Sequence, residues 1–288
     1  MYNVKKIDSK LFDEYWVSNK PIRTGSKVMQ KQDKPRRFEQ LSCDEKYQSM
    51  LRKEKHYKNQ RRYISRLISV NYEEQTKFLT LTFKENITDV EITNPLFNQF
   101  TKRLRRYLDK QHSGVELKYI AVWERQKRGA IHYHLVLFSF PYTQKKKLQE
   151  IWGHGFVQVN QVDHENPHAI GNYISKYIAK EFNLWEASQN AIHGMKNKKR
   201  FFKSESLKLP ITETSFVKNI DVLRETLESY PGVFFKEYDS SFPDGDKRVE
   251  RTTFYFNIPK EKKLNTESEV KVKATPKTMT APDKVIIA

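Results

Sequence analysis

One cysteine, Cys43, stands in the whole 288-residue chain. No internal disulfide can form, and no multi-cysteine zinc site can be built. No stretch approaches the roughly 20 apolar residues that a membrane-spanning helix needs. The opening Met1-Tyr-Asn-Val-Lys-Lys6 lacks the apolar run of a secretory signal. The expectation is a soluble protein of a reducing cytoplasm, with no membrane partner. A Gly-x-x-x-x-Gly-Lys-Ser/Thr loop is missing too, which argues against a fused helicase of the Walker type. Acidic residues are scarce relative to basic ones. Against 53 Lys+Arg there are 35 Asp+Glu, leaving a net charge of +18. Such an excess selects a polyanionic partner, because every neutralised phosphate releases counterions. A ribosome-associated or membrane-surface protein would share this composition. The 15 Tyr and 18 Phe, whose faces stack on unpaired bases, tilt the choice toward nucleic acid. With 37% hydrophobic and 31% charged residues, a core is expected amid polar arms and tails.

Read in order, the chain divides into four parts. Residues 1–70 form a basic N-terminal arm and helix. Pro21, Gly25, Pro35 and Lys34-Pro-Arg-Arg37 argue for irregular structure up to about residue 43. From 44 to 70 neither Pro nor Gly occurs, and Met50, Tyr57, Ile64 and Ile68 keep a helical period among Arg52, Lys53, Lys58, Arg61 and Arg62. Those cations read equally as a solvated face or as phosphate contacts. Residues 71–210 hold the order β-α-β-β-α-β-α. This points to an α+β fold with a mainly antiparallel sheet of about five strands, helices packed on one face, in a ferredoxin-like split βαβ arrangement. Asn94-Pro95 is expected to open the first of these helices. Residues 211–259 read as a small accessory element, with a helix over 212–229 and two strands that either stand apart or extend the main sheet. From 260 to 288, Lys, Thr, Glu, Pro and Ala without period predict a disordered tail.

Potential chemistry collects between residues 78 and 180. Alternate strand residues share a face, so His132 and His134 in Ile131-His-Tyr-His-Leu135 point the same way. An isolated His-x-His pair is more often two ordinary strand histidines. Glu124 changes the balance. The segments around 119–124 and 131–138 read as a hairpin across Arg125-Gln-Lys-Arg-Gly129. If Glu124 lies opposite His132, then Val122 lies opposite His134, and two imidazoles and a carboxylate share one patch. That set suits Mg²⁺ or Mn²⁺ as a Lewis acid, or Zn²⁺ on affinity grounds. The alternative for Glu124 is pairing with Arg125 or Lys127. Around 168–182, Ile170, Ile174 and Ile178 form a stripe at helical spacing, with Tyr173 and Tyr177 stacked beside it and Lys176 and Lys180 further round. A phenol near a metal-held phosphate is a nucleophile in waiting, and an ammonium beside it stabilises developing charge. On this segment alone, two tyrosines at the edge of a core, with hydroxyls in water, are the better reading. Arg125, Lys127 and Arg128 at the hairpin, and Lys198, Lys199 and Arg200 in a basic loop, are further candidates for phosphate contact. His154, His164, His168 and His193 read as local or surface histidines.

Together these pieces resemble the HUH endonuclease superfamily, most of all the rolling-circle replication initiators of small plasmids and single-stranded DNA phages. The resemblance spans about residues 72–205. Phe78-Leu-Thr-Leu-Thr-Phe83 is similar to the family's first motif, a scaffold strand without catalytic groups. Ala130-Ile-His132-Tyr-His134-Leu is similar to the metal-binding pair, and Asn172-Tyr173-Ile-Ser-Lys176-Tyr177-Ile-Ala-Lys180 to the nucleophile helix. The resemblance implies an HUH nuclease fold with Glu124, His132 and His134 holding a divalent metal. It implies that Tyr173 attacks the scissile phosphate, leaving a 5′-phosphotyrosine and a free 3′-OH, with Tyr177 or a 3′-OH resolving the link at termination. It further implies single-stranded or cruciform origin DNA, a host helicase and polymerase, and the cytoplasm of a bacterial host. Alternatives are a relaxase, whose tyrosine would precede its histidines, and a small tyrosine transposase, with a shorter chain and usually one tyrosine. A non-catalytic nucleic-acid binder on an RNA-recognition-like sheet would need neither the shared face nor the tyrosines.

Overall fold

The computed structural model describes residues 1–22, 40–126, 128–161, 201–244 and 247–260. In chain order the elements are β1 (Tyr2–Asp8), β2 (Phe12–Ile22), α1 (Cys43–Asn71), β3 (Lys77–Phe83), α2 (Val90–Gln111), β4 (Lys118–Arg125) and β5 (Ile131–Phe138). They continue with α3 (Lys145–Trp152), β6 (Gly155–Gln161), β7 (Phe201–Lys203), β8 (Ile211–Ser215), α4 (Ile220–Glu228), β9 (Phe234–Asp244) and β10 (Lys247–Pro259). Among the described residues all strand pairings are antiparallel, in two five-stranded sheets ordered β6-β3-β5-β4-β7 and β8-β1-β2-β10-β9. The expected α+β class and mainly antiparallel sheet are both present.

The first sheet carries the expected split βαβ pattern. β3 crosses through α2 to β4 while β5 inserts between them, and β5 crosses through α3 to β6 with β3 between. β5 is therefore central, and alternation sorts its residues between two cores. Ile131, Tyr133, Leu135 and Leu137 face α2 and α3, in a core with Leu79, Leu81, Phe97, Phe100, Leu104 and Trp152. Val136 and Phe138 face the other way, with Phe78, Ile120 and Val122, under Ile64, Leu67 and Ile68 of α1. Helices thus cover both faces rather than one. The basic helix expected at 44–70 supplies the second cover, because its last two turns carry a buried apolar stripe.

Both ends of this helix layer have identifiable causes. α1 starts in a capping box, with Ser42 accepting from the Glu45 amide and Glu45 accepting from the Ser42 amide. α2 starts at Val90, a turn before the expected Asn94-Pro95. Asp89 caps it by accepting from the Glu91 amide, and Pro95 falls inside the helix. The Tyr133 hydroxyl lies 3.0 Å from Thr93 Oγ1 and 2.7 Å from Asn94 Oδ1, fixing the start of α2 to the central strand.

Residues 2–22, expected to be an irregular arm, instead form β1 and β2. β2 pairs with β10 from Phe12↔Pro259 to Ser18↔Thr253, so the chain's first and last described strands share a sheet. The two late strands therefore join the N-terminal hairpin, and part of the helix expected at 212–229 is strand β8. One face of this sheet packs Val4, Val17, Phe254, Phe256 and Ile258 with Leu227 of α4. The other meets α1. Arg66 donates to Glu14 from Nε (2.8 Å) and Nη2 (2.6 Å), and Glu14 is 2% exposed. The Ser69 hydroxyl accepts from the Leu11 amide at 2.9 Å. Among the described residues no helix is long and apolar enough to cross a membrane. The tail expected from 260 lies almost wholly outside the described residues.

Candidate functional site

The β4–β5 hairpin aligns Glu124 with His132 and Val122 with His134, the register on which the shared patch was conditional. β3, on the other side of β5, sets Thr80 against His134 and Thr82 against His132. Glu124, His132, His134 and Thr80 consequently share the sheet face that α1 also covers, beyond the apolar patch of Ile120, Val122 and Val136.

Each side chain is held by a different neighbour. His134 is stacked on Phe78, with centroids 5.7 Å apart and an interplanar angle of 8°. Its Nδ1 lies 3.1 Å from Thr80 Oγ1, and its Nε2 lies 2.7 Å from Glu124 Oε1. The last contact is at ion-pair distance without hydrogen-bond alignment. A carboxylate oxygen this close to an imidazole nitrogen is met either by a ring N–H or by a cation between the two. His132 lies 5.6 Å from His134, centroid to centroid. Its Nδ1 is 3.5 Å from Gln126 Nε2, whose amide oxygen accepts from Arg128. His132 Nε2 is buried and has no hydrogen-bond partner among the described residues. Burial first, then the His134 imidazole and Arg128, pull the His132 imidazole down to about 4, against the raising pull of Glu124. His132 is therefore a neutral imidazole at neutral pH, the form that donates a lone pair to a metal.

Among the described residues no group of three or more His, Cys, Asp or Glu side chains stands as a ready metal cluster. The chemistry of the donors nonetheless fits a divalent ion. Two buried Nε2 atoms on one face, neither aligned in a hydrogen bond, adjoin a half-buried carboxylate. Thr80 and Phe78 orient His134 from a strand whose sequence reads as scaffold alone. Alternation already placed both on one face of β3, and the missing signal was that β3 pairs with β5.

The remaining expected site residues distribute unevenly. Tyr173, Lys176, Tyr177, Lys180, Lys198, Lys199, Arg200 and Lys127 lie outside the described residues. Arg52, Lys58 and Arg61 are exposed on α1, where Lys58 pairs with Glu54. Lys53 belongs to the same helix. Arg62 is committed elsewhere. Its guanidinium lies 4.8 Å from the Trp16 ring centroid and 5.4 Å from that of Tyr255, and it donates to the Tyr238 hydroxyl at 2.7 Å. Arg125 donates to the Thr88 carbonyl at 2.7 Å, which ties the hairpin to the segment before α2. His154 packs edge-on to Trp152, in keeping with a local role.

Comparison with known proteins finds similarity over the same part of the chain. Replication-associated protein ORF4 of Chlamydia phage 1 is 28% identical over 130 residues, covering 38% of this chain and 31% of that protein. The Phasyl DNA replicon protein arp of Escherichia coli is 32% identical over 129 residues, covering 36% of this chain and 42% of its own length. The chain thus spans less than half the length of these curated relatives. No solved structure matches it significantly. The model of the replication-associated protein ORF2 family matches residues 76–182, from β3 through both histidines to the tyrosine segment. Over residues 76–182 this chain is therefore similar to that replication-associated protein family.

Proposed function

We propose that this protein initiates rolling-circle replication by nicking single-stranded or cruciform origin DNA with a tyrosine nucleophile and later rejoining the strands. The observation that carries the reading is the shared face of Glu124, His132 and His134, with His132 Nε2 buried and unsatisfied among the described residues. Glu124, His132 and His134 would hold a divalent metal, Mg²⁺ or Mn²⁺, which when bound polarises a phosphodiester as a Lewis acid. Thr80 fixes the His134 ring through Nδ1, leaving Nε2 toward the carboxylate. Tyr173 attacks phosphorus through its phenol oxygen. A P–O bond to tyrosine forms, the P–O3′ bond breaks, and the departing 3′ oxygen is protonated. Lys176 offsets the negative charge at the phenolate. Tyr177 or a later 3′-OH reverses the exchange. One phosphoester bond replaces another, so no nucleotide is hydrolysed. The free 3′-OH is the end that a host polymerase extends, with a host helicase opening the duplex in the bacterial cytoplasm.

Incubation with a labelled single-stranded origin oligonucleotide and Mn²⁺ should give a protein–DNA band that survives a denaturing gel. Tyr173→Phe should abolish that band. A chelator should abolish it while oligonucleotide binding persists. An undiminished band with Tyr173→Phe removes Tyr173 as nucleophile, and one that survives chelation removes the metal role of the histidines. Tight binding by wild type without any adduct would instead support the non-catalytic reading.

A further inference from the structure

The candidate site occupies one face of the first sheet, and the other face carries a feature that site does not use. Where the C-terminal half of α2 meets α3 and the loop before it, a groove of about 810 Å³ opens to solvent. Arg103, Arg106, Tyr107, Lys110, Tyr142 and Lys147 line it. Arg103, Arg106, Tyr107 and Lys110 follow one another at helical spacing, so a single face of α2 supplies three cations and a ring. α2 and α3 pack on Leu79, Leu81, Tyr133 and Leu135, while His132 and His134 point away from that core. The groove and the candidate site are therefore separated by the thickness of the sheet.

Its chemistry points to one kind of ligand. Arg103 donates to the Trp152 carbonyl at 2.8 Å, which holds it at the end of α3. Lys147 pairs with Glu150 at 3.0 Å. Arg106 and Lys110 have no acidic partner among the described residues, and both are exposed. Tyr142 is 83% exposed, the highest exposure among the large hydrophobic and aromatic side chains of the described residues. Tyr107 instead packs edge-on to His112, at 6.2 Å. Two unpaired cations beside an exposed ring give phosphate contact and a stacking platform together, the combination that grips unpaired nucleotides without reading sequence. Duplex DNA would use the cations but leave the ring idle, since its bases are stacked on each other.

We infer that this groove is a second binding site for single-stranded DNA, on the opposite side of the sheet from the candidate nicking site. Arg106 and Lys110 contact successive phosphates there, and Tyr142 stacks on a base. The inference rests on the reading of this chain as a DNA-acting protein, and not on the nicking chemistry. It gives a strand running past the sheet a second hold.

The test measures fluorescence anisotropy of the full chain, without metal, on a labelled oligothymidylate of roughly 16 nucleotides, the upper site size of a small single-strand binder. A duplex of the same length is the second probe. Tyr142→Ala should weaken single-strand binding roughly 5- to 150-fold, the range for loss of one base–aromatic stack, and leave duplex binding unchanged. Tyr142→Phe should restore wild-type affinity, which separates stacking from a folding defect. Arg106→Ala with Lys110→Ala should make the single-strand salt dependence shallower by about 1.4 in the log–log slope, about 0.7 for each lost phosphate contact. Unchanged single-strand affinity in Tyr142→Ala, or equal loss on both probes, overturns the stacking site. An unchanged salt slope in the double variant overturns the phosphate contacts. Because no adduct is scored, failure of the nicking reading and failure of this one give different results.

Discussion

At the residue scale the candidate site is governed by burial. His132 is 7% exposed, and its imidazole titrates near 4 when folded against 6.5 as an unperturbed group. The unfolded chain therefore takes up a proton first as pH falls. Above 6.5 this group leaves stability unchanged, and stability is lost as pH drops from 6.5 toward 4. Metal-free melting curves at about pH 7 and about pH 4.5 should show the wild type losing more stability than His132→Gln, which has no proton to gain. An equal loss in the two proteins would mean that His132 is not held neutral. Thr80 and Gln126 act through other residues here, one on each imidazole. Neither stands out in sequence, because a threonine on a strand and a glutamine in a hairpin loop are ordinary at such positions. His132 and His134 were legible as a same-face pair because period-two alternation fixes it, whereas the alignment of Glu124 with His132 depended on a hairpin register that alternation alone does not set.

At the element scale the site depends on β3 and its two partners. Gly155 opens β6 opposite Phe83 with φ of +153°, and a Cβ there would press on the Thr82 carbonyl oxygen and the Lys84 amide. Both are backbone atoms, so neither can swing aside. The Thr82 carbonyl also accepts from the Trp152 indole at 3.1 Å, and Thr82 pairs with His132 across the sheet. Gly155→Ala should destabilise the protein by roughly 1–3 kcal/mol, the range for overpacking a tight site. Urea unfolding checks this, and a loss below a few tenths of a kcal/mol would show that β6 can shift at no cost. The first sheet was largely legible because its strands alternate clearly and two of them form a hairpin, although β3 pairs with the distant β6 and β4 with the distant β7. α2's true start was present in Asp89 but eclipsed by the more conspicuous Asn94-Pro95. The second sheet was not legible. β1 and β2 intersperse charged residues among their apolar ones, and β2 finds its partner in β10, a pairing that no local pattern announces.

At the scale of the whole molecule, α1 joins the two sheets. Its apolar stripe belongs to the first, and Arg62 and Arg66 belong to the second. The Arg66–Glu14 pair is bidentate and deeply buried on the carboxylate side. Removing one partner strands the other, so Glu14→Ala should cost about 3–5 kcal/mol, the usual range for breaking a buried pair. Replacing both residues, by Glu14→Leu with Arg66→Met, should recover most of that loss, since a packed apolar pair avoids the desolvation of two charges. Thermal unfolding of the two variants checks the argument. A double variant no better than the single one would show that the pair does more than satisfy itself.

The pairing of Val17 with Phe254 also sets a timetable. During synthesis at about 5–20 residues per second, the hairpin of β1 and β2 emerges roughly 10–50 s before β10 exists. Meanwhile β2 presents a bare row of amides and carbonyls, open to neighbouring nascent chains. β3 through β6 can pair as they leave the ribosome. The first sheet is thus complete before the second can close, and β10, the last of the described strands, is the one that covers the first hairpin.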